Sequence, residues 1–120
     1  MILRQLFDYE TYTYTYLVAC ERTRKAALID PVREQIDRDL RLVEELGLEL
    51  VYVLDTHVHA DHVTAAGPLS DRTGAKTVGG GGASCTDVVV GHGDTLELGE
   101  LTIEVLATPG HTDDSLSFKI

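Results

Sequence analysis

Residues 45–67 read ELGLELVYVLDTHVHADHVTAAG, and this stretch decides the fold. Residues 48–54 form a nearly continuous apolar run in which only Glu49 is polar. A strand buried on both faces looks like this, as in a sheet covered by helices. The run ends at Asp55-Thr56 and passes directly into His57-Val58-His59-Ala60-Asp61-His62. Asp61 is an acceptable N-cap, so a helix is expected from about there. That helix is expected to be interrupted around Gly67-Pro68 and to stop at Gly74.

Working back from this stretch, Ile36, Leu40, Val43 and Leu46 recur at spacings of four, three and three. That places them on one face of a helix, with charges elsewhere and Gly47 set to cap its C-terminus. Residues 11–20, TYTYTYLVAC, alternate Thr and Tyr before turning apolar, which predicts a strand with two different faces. Residues 21–25 are a charged turn, and residues 26–29 should pair back as a hairpin. Asp30-Pro31 ends that strand, because proline cannot donate to a ladder.

Working forward, residues 76–78 make a short strand followed by four glycines, 79–82. The glycines lack a following Lys-Ser/Thr, so they do not form a phosphate-binding loop. Residues 95–98 and 101–106 flank Gly99-Glu100 and predict a second hairpin. Ala107-Thr108-Pro109-Gly110 then delivers His111 into a loop, and residues 115–120 begin another strand. The order β-β-α-β-α-β-β-β predicts an α/β domain of helices layered on a sheet of mixed direction.

The 120 residues suffice for one domain, and 43% hydrophobic with 25% charged residues is ordinary for a globular protein. Ten basic against twenty acidic residues give a net charge of -10, which argues against nucleic acid and anionic membranes as partners. Cys20 and Cys85 lie far apart and predict reduced thiols rather than a disulfide framework. The opening MILRQLFDYE carries no secretory signal, and no apolar run approaches the ~20 residues of a membrane span. A cytoplasmic location is the expectation.

Four of the five histidines fall in two short segments, each just after a predicted strand: residues 56–62 and 109–112. In extended backbone His57 and His59 point the same way, and Asp61 and His62 follow at the start of a helix. Three imidazoles and a carboxylate within six residues suit zinc or iron. Without a metal, protonated histidines would repel one another and buried neutral ones would need many partners. His57, His59, Asp61, His62 and His111 are therefore the candidate metal-site residues. His92, in a Gly91–Asp94 turn, is expected to be structural, and Cys85 an inert thiol.

The THVHADH segment resembles the metal motif of the metallo-β-lactamase superfamily. Further segments narrow the resemblance: LRQLFD, TYTYLVA, ALIDPV, the 45–67 block, GDTLELG and IEVLATPGHTDDSLSF. Together they are similar to the persulfide dioxygenases, or sulfur dioxygenases, over essentially the whole chain. The resemblance implies the αββα sandwich of that superfamily. It implies one non-haem Fe(II) and oxidation of glutathione persulfide by O2 to sulfite and glutathione, so the implied partners are a small thiol persulfide and dioxygen. By position, His57 and His111 would be iron ligands. His59, Asp61 and His62 would surround them, with Asp61 and His62 available for proton transfer.

The third ligand that the resemblance implies, an aspartate in a glycine-aspartate turn some twenty residues past the PGHT histidine, falls after Ile120. The resemblance thus places residues 1–120 as the N-terminal part of a single domain, roughly its first half, and inactive alone. Such a piece is expected to expose one sheet face or edge, which a homodimer could cover. Two other readings use the same residues. A glyoxalase-II-like thiolester hydrolase would bind two zinc ions, with His57, His59, Asp61 and His62 all ligating. A non-enzymatic reading makes the chain a metal-binding or dimerising remnant.

Overall fold

The computed structural model of the chain describes residues 1–10, 12–56, 66–79, 87–107 and 116–120. In chain order the elements are β1 (Ile2–Asp8), β2 (Thr13–Ala19), β3 (Lys25–Ile29), α1 (Ile36–Glu45) and β4 (Glu49–Leu54), then α2 (Ala66–Thr73), β5 (Lys76–Gly79), β6 (Val88–Val89), β7 (Thr95–Leu98), β8 (Leu101–Ala107) and β9 (Leu116–Lys119). One 3-10 turn, Arg33–Gln35, leads into α1. The strands form a six-stranded sheet in the order β1-β2-β3-β4-β5-β6 and a three-stranded sheet in the order β7-β8-β9.

Direction in the larger sheet follows the connections. The hairpin turns join β1 to β2 and β2 to β3 antiparallel, while α1 and α2 carry β4 and β5 back parallel to β3. Gly47, at φ 66, ends α1 as a Schellman cap: its N–H donates to Glu44 O at 3.0 Å, and Leu48 N–H donates to Val43 O at 3.0 Å. The expected break at Gly67-Pro68 does not occur. Both residues are helical within α2, and the expected helix start near Asp61 lies outside the described residues.

Two cores lie on the two faces of the large sheet. On one, Leu17, Leu28, Leu50 and Val53 pack against Ile36 and Val43 of α1 and Leu69 of α2. On the other, Val18, Ala27, Ile29, Leu54 and Val78 meet Leu96, Leu98, Ile103 and Val105 of the small sheet. The result is three layers, helices–sheet–sheet. Alternation within β8 explains its place: Ile103 and Val105 are buried, and Thr102 and Glu104 face out.

The expectation of a bare sheet face is met only along one side. The small sheet covers the inner face at β3, β4 and β5, but Leu3 and Tyr14 on the β1–β2 side stay about half exposed. β4 is likewise less buried than its apolar run suggests, with Val51 and Tyr52 only partly covered. Two strands were not foreseen. β1 has no clean alternation because it is an edge paired on one side, and β6 is two residues long. No helix among the described residues is long and apolar enough to cross a membrane.

Candidate metal site

The candidate ligands leave from strand ends, and the described residues fix where those ends lie. β3, β4 and β5 run parallel and finish together: Asp30 N–H donates to Leu54 O at 2.8 Å, and Asp55 N–H donates to Val78 O at 3.0 Å. The 57–62 segment starts from this end. For His111 the direction of β8 decides. The turn into β8, Gly99-Glu100, sits against the β2–β3 turn at the opposite end, where Glu100 N–H reaches Cys20 Sγ at 3.5 Å and Arg22 pairs with Glu100 at 3.1 Å. Seven residues of strand span ~23 Å at about 3.3 Å each, so β8 crosses the sheet and finishes at the ligand end.

A second connection fixes the same point independently. β6 is parallel to β5, and Val90 N–H donates to Gly79 O at 2.9 Å. The following turn joins the end of β8: Gly93 N–H donates to Val105 O, and Val105 N–H donates to Asp94 O, both at 2.8 Å. Ala107 N–H then donates to Nδ1 of His92 at 3.1 Å. The two histidine segments therefore emerge at one end of the sandwich, one from each sheet. His57, His59, Asp61, His62, His111 and Cys85 themselves lie outside the described residues.

The chain belongs to the metallo-β-lactamase superfamily. The family model described as "Metallo-beta-lactamase superfamily" matches residues 8–86. Mouse (Mus musculus) persulfide dioxygenase ETHE1, mitochondrial, is 43% identical over 98% of this chain and 47% of its own length. The crystal structure of ETHE1 from Myxococcus xanthus superposes with a TM-score of 0.95 at 62% identity, over 99% of this chain and 53% of that one. A probable hydroxyacylglutathione hydrolase of Schizosaccharomyces pombe is 34% identical over 88% of this chain and 42% of its own length. The chain thus spans about half the length of these relatives. Within the superfamily it resembles the ETHE1 persulfide dioxygenases, and its fold is the metallo-β-lactamase α/β fold seen over about half of the full domain.

The residue before the 57–62 segment, Thr56, is held by Asp30, which follows β3 within the ALIDPV stretch. Asp30 sits at φ 55, a region L-residues rarely adopt and Asp tolerates better than most. Its carboxylate takes Thr56 N–H on Oδ1 at 2.8 Å and Thr56 Oγ1–H on Oδ2 at 2.5 Å. Its carbonyl accepts from the hydroxyl of buried Thr15 at 2.9 Å. The available signal was positional: Asp30 follows an apolar strand as Asp55 does, on the neighbouring parallel strand. Burial, reinforced by the charge of Asp30, pushes Asp55 up to about 7.

His92, expected to be structural, accepts the Ala107 N–H on Nδ1 and so ties the residue that precedes the 108–115 segment. Cys20 is a free, buried thiol. No cluster of three or more His, Cys, Asp or Glu side chains able to hold a metal occurs among the described residues. The donors that fit a metal are those of the two motif segments, whose imidazoles and carboxylate match iron or zinc in chemistry.

Proposed function

We propose that the protein carrying this chain is a non-haem iron persulfide dioxygenase that oxidises glutathione persulfide with O2 to sulfite and glutathione. The observation that carries this reading is the emergence of the 57–62 and 108–115 segments at one end of the sandwich. Identity of 62% with the Myxococcus xanthus structure and 43% with the mouse enzyme supports it. His57 and His111 would hold the iron, together with a carboxylate from beyond Ile120. Two histidines and one carboxylate on one face leave positions open for substrate and oxygen. Bound Fe(II) supplies the redox activation that lets dioxygen react with a persulfide.

The chain's own residues then have defined tasks. Oxidising the outer persulfide sulfur to sulfite passes its electrons to dioxygen, draws the third oxygen from water and releases protons. Asp61 and His62, beside His57 in sequence, would take up those protons, and His59 would orient its neighbours by hydrogen bonding. Holding persulfide and oxygen side by side lowers the entropic part of the barrier.

One observation favours a second reading: the 34% identity to the yeast hydroxyacylglutathione hydrolase. On that reading His57, His59, Asp61 and His62 would hold two zinc ions, which would supply Lewis-acid activation for hydrolysis of a thiolester. Oxygen uptake separates the two. The full-length protein should consume O2 with glutathione persulfide and leave S-lactoylglutathione intact. Thiolester hydrolysis without oxygen uptake would overturn the dioxygenase reading.

A further inference from the structure

We draw no further inference here: the strongest candidate, the aromatic patch on the β1–β2 hairpin where Tyr9, Tyr12 and Tyr14 stand exposed around Phe7, is an unpartnered apolar surface, and nothing in the structure shows what covers it.

Discussion

At the end of the sandwich where β3, β4 and β8 begin, the turns are sealed by contact. Gly99, at φ 62, lies so close to the β2–β3 turn that a Cβ there would fall 1.9 Å from Thr23 Oγ1 and 3.0 Å from the Cβ atoms of Cys20 and Thr23. Ion pairs Arg22–Glu100 and Lys25–Glu49 rim the same end. At the opposite end, where these strands finish, Thr56 and Ala107 are held by directed hydrogen bonds that Asp30 and His92 accept. Packing closes one end and placement organises the other. Stability and chemistry are therefore separable by position along the same strands.

The sharpest way to break this contrast is at the sealed end. Gly99→Ala adds a Cβ into Thr23 and forces alanine into a left-handed backbone. It should cost about 4 kcal/mol of stability, measured by denaturant unfolding, and leave metal content per folded chain unchanged. A loss of metal without loss of stability would show that the two ends are not independent.

The next effect belongs to neither end and calibrates both. Asp39, on α1, is fully buried with its Oδ2 unbonded, and burial pushes it from its ordinary 3.8 to about 6 against the pull of Arg38. Arg38 reaches it at 3.1 Å and also donates to Phe7 O at 2.8 Å, while Gln35 donates to Asp8 nearby. Because the folded-state pKa is raised, the unfolded chain ionises first, and stability falls as pH rises between about 4 and 6. Roughly two pH units at about 1.4 kcal/mol each put that fall at about 3 kcal/mol. Asp39→Asn should make this slope shallower by the share of Asp39, leaving the fall of the same sign that Asp55, raised to about 7, contributes. A slope unchanged by the substitution would place the titration elsewhere.

The smallest effect sharpens the contrast within the placement end. His92→Ala removes the acceptor for one exposed N–H at Ala107 and should cost about 1 kcal/mol or less in thermal unfolding. It should weaken metal binding less than Asp30→Gly does. The β8 root has one such bond where the β4 root has two, and a larger effect at His92 would reverse the ranking of the two roots.

How far this was legible in the sequence follows the same division. The core of the fold could be read from periodicity and turn residues: the amphipathic spacing of Ile36, Leu40 and Val43, the Gly47 cap, and the hairpin around Gly99-Glu100 all lie where expected. β1 and the two-residue β6 could not, because edge strands need neither alternation nor length. Pro68 misled because it was read as a break, whereas Gly67 and Pro68 both lie within α2. The histidine segments stood out because several metal donors at short spacing have few other uses, and they lie outside the described residues. Asp30 did not stand out, because its part depends on an adjacent parallel strand and a backbone conformation that no local pattern announces.

The central claim is that segments from both sheets meet in one metal site. Elemental analysis of the full-length protein, His57→Ala and His111→Ala tests it most directly. The account predicts about one iron per chain in the wild type and near-complete loss in each variant. Iron retained in either variant, or about two zinc ions in the wild type, would contradict it.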